Sequence, residues 1–287
     1  MQHNIVTGID IGGSHITAAL VDLDTQSIIR ESLVRERVDS KGEQAQIIRE
    51  WTAAIARCRS FRTGVLPQIG IAMPGPFDYE NGISLIQGLD KFDALYGANV
   101  KTLLAQELGN APGDIFLMND ASCFLKGEVF GGAVKNCREV IGITLGTGLG
   151  SAVVREGKLF DGDLYCTPYR DGVAEDYLST RWFVRRYRGL TGREVKDVKA
   201  LSQQVPDDAV AQDLFREFGR HLGEVLAAWS RKHRVDTVVI GGNIVQAWEL
   251  FVPEAEKLLQ QQELVISLHR ASLGEEAALL GAGSLCR

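Results

Sequence analysis

The 287-residue chain lacks most of what marks secreted, membrane or nucleic-acid-binding proteins. Its five cysteines, Cys58, Cys123, Cys137, Cys166 and Cys286, are odd in number and widely scattered. That argues against a disulfide framework and for reduced thiols in the cytosol. No Cys-x-Cys or Cys-x-x-Cys pair occurs, so the usual ligand spacing of a closed zinc site is missing. There is no long hydrophobic run. The stretch from Ile16 to Val21, broken by Thr17, is far too short to cross a bilayer. Polar Gln2-His3-Asn4 lead straight into a strand pattern, without the character of a signal peptide. Basic residues are not in excess: 31 Lys+Arg against 37 Asp+Glu give a net charge of −6. A polyanionic main ligand wants the opposite sign, which argues against nucleic acid. Low-complexity segments and Pro/Ser linkers are absent too. The expectation is a cytoplasmic globular protein of one large or two medium domains, with no membrane partner.

What the chain does have is one short pattern written twice. Gly8-Ile9-Asp10-Ile11-Gly12-Gly13-Ser14 runs on to Ala18-Ala19-Leu20, and Gly142-Ile143-Thr144-Leu145-Gly146-Thr147-Gly148 runs on to Ala152-Val153-Val154. The two align without a gap at an offset of 134 positions, close to half the chain. Each reads as strand, tight turn, strand. A turn without Cβ atoms lets backbone N–H groups approach an anion. Two such turns suit a polyphosphate.

Between and after these turns, apolar runs alternate with helical patterns. Strands are expected at Ile5–Ile11, Ile16–Asp22, Ser27–Arg35, Gln68–Met73, Ile115–Met118, Thr237–Ile240 and Glu263–Leu268. Helices are expected over Glu43–Cys58, Val100–Leu108, Ala121–Phe130, Val173–Arg188, Asp207–His233 and Glu275–Leu285. Such alternation implies an α/β fold. The duplicated hairpin implies two similar halves related by a pseudo-twofold axis, with a cleft along it.

Several residues at strand ends carry chemistry or plain turn structure. Asp10, before Gly12-Gly13, suits a carboxylate holding magnesium through water beside phosphates, or a turn Asp bonding its own backbone. Asn119-Asp120 stand between a strand and a helix. Both are good N-caps, but a kinase also needs a carboxylate to accept the proton of the attacking hydroxyl. Gly241-Gly242-Asn243 end a buried strand, where open α/β sheets bind nucleotides, or where a turn merely needs glycine. Glu175 falls in a first helical turn, which the helix dipole favours in any protein. Arg181, Arg185, Arg186 and Arg188 read as a solvated helix face.

Laid out in this order, the chain resembles the ROK family of bacterial sugar kinases, in the actin-like ATPase superfamily, over nearly its whole length. The first phosphate motif of that family resembles Asp10-Ile11-Gly12-Gly13-Ser14-His15, and the second resembles Leu145-Gly146-Thr147-Gly148-Leu149-Gly150. The catalytic segment resembles Asn119-Asp120-Ala121, with the Asp as general base. The adenosine motif resembles Val239-Ile240-Gly241-Gly242-Asn243, and the sugar-side loop Gly70-Ile71-Ala72-Met73-Pro74-Gly75-Pro76. Each motif alone is loose; five in order are specific. Two departures stand out. Most members carry Gly-Glu-x-Gly-His and a Cys-x-Cys-Gly-x-x-Gly-Cys zinc loop, where this chain reads Gly162-Asp163-Leu164-Tyr165-Cys166 and then reaches Glu175. Asp163 takes the place of the sugar-binding Glu, and Cys166 that of a His that binds both sugar and zinc. His15 stands where Lys is common, a weaker phosphate partner once neutral.

The resemblance implies a duplicated actin-like (ribonuclease H-like) fold in two lobes, residues 1–118 with 275–287 and residues 119–274. It implies a homodimer and an ATP- and Mg2+-dependent hexose kinase, glucokinase-like, without zinc. Asp120 would be the base, and Gly75, Asn119, Asp163 and Glu175 would contact the sugar. Gly12, Gly13, Ser14, His15, Gly146, Thr147, Gly148, Gly241, Gly242 and Asn243 would hold ATP, with Asp10 at the magnesium. The alternative is a catalytically weakened sugar- or nucleotide-binding, or sugar-sensing, protein of the same family, suggested by Cys166 and His15. A DNA-reading regulator would need a module ahead of Asp10, where only nine residues stand.

Overall fold

A computed structural model describes residues 4–287; Gln2 and His3 lie outside the described residues. In chain order the elements are β1 (Ile5–Ile11), β2 (His15–Asp22), β3 (Ser27–Arg37), α1 (Gln44–Arg59), β4 (Ile69–Met73), β5 (Phe77–Asp78), β6 (Ile83–Ser84), α2 (Val100–Leu108), β7 (Ile115–Asn119) and α3 (Asp120–Gly131). There follow β8 (Val140–Leu145), β9 (Leu149–Arg155), β10 (Lys158–Asp161), β11 (Pro168–Tyr169), β12 (Gly172–Val173), α4 (Ala174–Tyr177), α5 (Thr180–Thr191), α6 (Val198–Ser202) and α7 (Ala209–His233). The chain ends with β13 (Thr237–Gly241), α8 (Trp248–Gln261), β14 (Ser267–Arg270) and α9 (Glu276–Gly283).

The repeat seen in the sequence is a repeat of topology. One sheet has the order β3-β2-β1-β4-β7 and the other β10-β9-β8-β13-β14. Each opens with an antiparallel meander and adds two parallel strands beside its first strand. The chain divides into two compact units: the described residues up to Lys135 with Glu275–Arg287, and Asn136–Gly274.

In the first unit, α1 buries Ile47, Ile48, Trp51, Ala54, Ile55 and Cys58, one face at helical spacing. It packs on the Ile5, Ile9 and Ile11 side of β1, with Trp51 edge-on to Phe92 at 5.3 Å. The opposite face is covered by α9, which in turn lies along α3. Contact there is backbone to backbone. A Cβ on Gly8 would strike the Leu279 carbonyl, one on Gly70 the Ala282 carbonyl, and one on Gly281 the Cys123 carbonyl. These small residues let α9 sit directly on β1 and β4. The lobe boundary expected at 118/119 differs from the compact units by residues 119–135, because α3 belongs with α9.

The second unit has an aromatic core of Trp182, Phe183, Phe215, Phe218 and Phe251 between α5, α7 and α8. Two expectations are corrected here. The helix expected over Val173–Arg188 is interrupted: Ser179 is extended (φ −140°, ψ 164°), and α5 starts afresh at Thr180. The break has a use, since the Thr180 N–H donates to the Gly146 carbonyl at 2.8 Å and seats the start of α5 on the glycine turn. The last strand forms at Ser267–Arg270, not Glu263–Leu268. Glu263 has φ +56° and Val265 is 89% exposed, so the chain turns at Gln262-Glu263 and the apolar Leu264-Val265-Ile266 run leads unpaired into the strand.

Candidate active site

In the first unit, Asp10 pairs in register with Ala72 of β4, and Ala72 with Met118 of β7. The three parallel strands therefore end side by side. Asp10, the loop with Gly75, and Asn119-Asp120 all leave the same carboxyl edge, where α/β sheets bind ligands. Asp10 is half-buried, and its carboxyl is pushed up to about 6. Burial is the main cause and the charge of Asp120 the second; Glu275 adds to the rise and Arg35 opposes it. Arg35 is itself paired with Glu275 at 2.7 Å. A buried carboxylate whose proton affinity is raised by a second carboxylate nearby is a place where a divalent cation is welcome. No cluster of three or more metal-ligating side chains occurs among the described residues. That fits magnesium, which keeps its waters and is held by one or two carboxylates plus substrate phosphates.

The turn after Asp10 is exposed from Gly12 to Ser14. The Gly12 N–H donates to the His15 carbonyl at 2.9 Å, and Ser14 Oγ shares a 2.8 Å hydrogen bond with His15 Nδ1. The stem of Lys91 lies 3.5 Å from where a Cβ of Gly13 would stand. A cation thus flanks this turn from a loop that sequence reasoning passed over.

Asn119 does more than one job. Its Oδ1 accepts from the Ala121 and Ser122 N–H groups at 2.9 and 3.3 Å, capping α3. Its Nδ2 donates to Tyr79 Oη at 3.3 Å, and Tyr79 Oη donates to the Met73 carbonyl at 3.0 Å. The same hydroxyl stands 3.1 Å from the place of a Gly75 Cβ. Tyr79, missed in the sequence, therefore ties the cap to the Gly75 loop. Asp120 is exposed in the first turn of α3, where the helix dipole favours an anion.

In the second unit, the Gly146–Gly148 turn closes with a 3.0 Å bond from the Gly146 N–H to the Gly148 carbonyl. Thr147 is its exposed tip, and a Cβ on Gly146 would meet nothing within 4 Å. Glu175 braces this turn. Its Oε2 accepts the Leu149 N–H at 2.9 Å, and its Oε1 is paired with Arg181. A Cβ on Gly148 would stand 2.7 Å from Glu175 Oε2, so the carboxylate sits close against the turn. Gly241 lies in register with Thr144, beside the turn. Gly242, at φ +90°, has the Leu145 backbone where a Cβ would be, so only glycine fits. Asn243 opens the helical turn Asn243–Ala247 next to it.

Asp163 stands apart on an exposed loop at φ +51°, its carbonyl accepting from Cys166 Sγ and Thr167 Oγ1, both at 3.3 Å. The stretch after it forms the β11–β12 hairpin, which is tied to α7 by side chains. Tyr169 Oη donates to Glu224 at 2.5 Å and meets His221 Nδ1 at 2.8 Å, which places the ring proton on Nδ1. Burial pushes His221 down to about 4, so it stays neutral. A single cysteine in this stretch does not make a zinc donor set. The arginines expected on a solvated face, Arg181, Arg185, Arg186 and Arg188, are all exposed. Arg181, Arg185 and Arg188 line a cavity of about 700 Å³ together with Thr147, Thr180 and Lys196.

Two sheets of one topology, each carrying a glycine turn after its first strand, define the actin-like ATPase fold. Residues 6–287 match the ROK family, and the chain belongs to it. A glucokinase of Thermotoga maritima is 27% identical over 98% of this chain and 96% of its own length. An N-acetyl-D-glucosamine kinase of Vibrio cholerae is 24% identical over 97% of this chain and 98% of its own. The solved ROK family glucokinase of Streptomyces griseus, in complex with glucose and AMPPNP, shares the fold with a TM-score of 0.78. Its identity is 24%, over 98% of both chains.

Proposed function

We propose that this chain is an ATP- and magnesium-dependent kinase of a hexose or hexose derivative. The observation that carries the reading is the coupled pair Asp10 and Asp120 at the carboxyl edge of three parallel strands. In this reading Asp120 accepts the proton of the attacking sugar hydroxyl. It is exposed, in the first turn of α3, where a reacting hydroxyl can reach it. Asn119, with an amide end aimed through Tyr79 at the Gly75 loop, would order the sugar side. Asp163 and Glu175 would read further hydroxyls; Glu175 would have to exchange Arg181 or the Leu149 N–H for sugar. Gly12 to His15, Gly146 to Gly148 and Gly241 to Asn243 would hold the nucleotide, with Lys91 as an added cation. Magnesium, held at Asp10, would neutralise charge on the phosphoryl oxygens.

The relatives are named for glucose and N-acetylglucosamine, so those two sugars come first in a screen. Sugar-dependent ADP release would be measured over a panel of hexoses and N-acetylhexosamines with Mg2+. At least one should give turnover well above ATP hydrolysis alone. Binding of sugar and ATP without turnover on any of them would favour the weakened sugar-binding alternative.

A further inference from the structure

Asn119 is held by hydrogen bonds that can run in only one direction. Its Oδ1 faces two backbone donors, the N–H groups of Ala121 and Ser122, and both lone pairs of that oxygen are in use. Its Nδ2 must then find an acceptor, and that acceptor is Tyr79 Oη at 3.3 Å. A phenol has one proton to donate. Here it goes to the Met73 carbonyl at 3.0 Å, which leaves the oxygen as an acceptor for the amide. Turning the amide over would set Nδ2 against two N–H groups, donor facing donor. An amide nitrogen carries two hydrogens. One is committed to Tyr79, so Asn119 has a single N–H, and no acceptor, to offer a substrate beside the Asp120 carboxyl.

Tyr79 is placed by contacts that do not involve its hydroxyl. It stands in the turn between β5 and β6, which closes with the Gly82 N–H on the Asp78 carbonyl at 2.8 Å and the Asn81 N–H on Asp78 Oδ1 at 3.0 Å. Gly82, at φ +78°, permits that turn. Lys101 Nζ donates to the Glu80 carbonyl at 2.6 Å and ties the turn to α2. The Tyr79 ring stacks on buried Phe77, with centroids 5.3 Å apart. The ring is therefore anchored on the β5–β6 turn, and the hydroxyl is left to bridge Met73 and Asn119.

We propose that Tyr79 is a positioning residue for the sugar: its hydroxyl fixes the Asn119 amide with one N–H turned to the substrate, which must meet it with an accepting oxygen. The proposal rests on the kinase reading above. Tyr79 acts through Asn119 and not on the reacting atoms. Without the hydroxyl, Asn119 keeps its cap on α3 but loses the partner that holds Nδ2, and the sugar must order that amide itself on binding. The glycine turns assigned to the nucleotide make no use of Tyr79, so the loss falls on one substrate.

The test is Tyr79→Phe in the full chain, with the sugar of the panel that gives the best turnover. The KM for that sugar should rise about five- to tenfold, the worth of one hydrogen bond, while the KM for ATP stays within about twofold. Sugar affinity by calorimetry without nucleotide should fall by the same factor, a reading that needs no turnover. Asn119→Ser keeps a capping oxygen but has no amide. In that background Tyr79→Phe should change the sugar KM no further, because the group it acts through is gone. A wild-type sugar KM in Tyr79→Phe, an equal rise in both KM values, or a full effect persisting beside Asn119→Ser would overturn the proposal and leave the kinase reading standing. Sugar binding without turnover would overturn the kinase reading, and calorimetry on the same variants would then decide the role of Tyr79. A chain that binds no sugar of the panel loses both.

Discussion

At the scale of single residues, Asp120 and Gly146 make the sharpest claims. Asp120→Asn should lower kcat by on the order of 10²–10⁴, the usual worth of a general base, while sugar binding persists. A variant retaining a tenth of wild-type kcat, with chemistry rate-limiting, would remove Asp120 from that role. Gly146→Val should leave the urea midpoint close to wild type, because a Cβ there meets nothing within 4 Å. It should instead raise the KM for ATP far more than that for sugar, since the added bulk stands where phosphate must approach. Equal effects on both substrates would return the turn to a plain structural role. Most of these residues were legible in the sequence because turn chemistry is local: glycine, a following small residue, a preceding β-branched run. Lys91, Tyr79 and Arg35 were not. Each reaches its place from a different element, and nothing within a few residues of it in the chain signals the meeting.

At the scale of elements, the contact of α9 with β1 and β4 is the most exacting. Gly70→Ala should cost at least about 2 kcal/mol, because its Cβ meets the Ala282 carbonyl, a backbone group that cannot turn aside. Urea unfolding would check this, and a wild-type midpoint would contradict it. The strands and their order could be anticipated from the duplicated hairpin and the β-branched runs. The interruption of α4 and α5 could not. The pattern from Val173 to Arg188 keeps its helical period through Leu178 and Ser179, and it is a tertiary bond, Thr180 to Gly146, that breaks it. The last strand slipped for a related reason: Leu264-Val265-Ile266 have strand propensity, yet β13 offers its partner positions only from Ser267 onward.

At the scale of the whole molecule, half-buried Asp10 and buried His221 give stability a pH dependence of opposite sign. Asp10 has its proton affinity raised to about 6 in the folded chain. Its contribution is present below its unfolded value near 4 and is lost as pH rises through 6. His221 is lowered to about 4, so its contribution is present above its unfolded value near 6.5 and is lost as pH falls through 4. Each amounts to roughly two pH units, or on the order of 3 kcal/mol. In the wild type the two offset between about pH 4 and 6.5. Asp10→Asn should therefore be stabilised relative to wild type toward the upper end of that window, and its stability should climb more steeply with pH. Urea midpoints across the window, without nucleotide or metal, would show it; parallel curves would mean Asp10 is not strained. The purified chain should also carry no stoichiometric zinc by elemental analysis, since Tyr169, His221 and Glu224 already hold the β11–β12 hairpin to α7. One zinc per chain surviving dialysis against a mild chelator would refute this.

The seat of α9 has a consequence for the chain while it is being made. The face of Gly8 and Gly70 on β1 and β4 is closed by the backbone at Leu279 and Ala282, which follow the whole second unit in the chain. A ribosome adding roughly 5–20 residues per second needs on the order of ten seconds to travel from Lys135 to Glu275. Through that interval the second unit is complete in sequence from Asn136 to Gly274, while the earlier one waits with an open seam. The half of the chain that is born first is thus the half that is finished last.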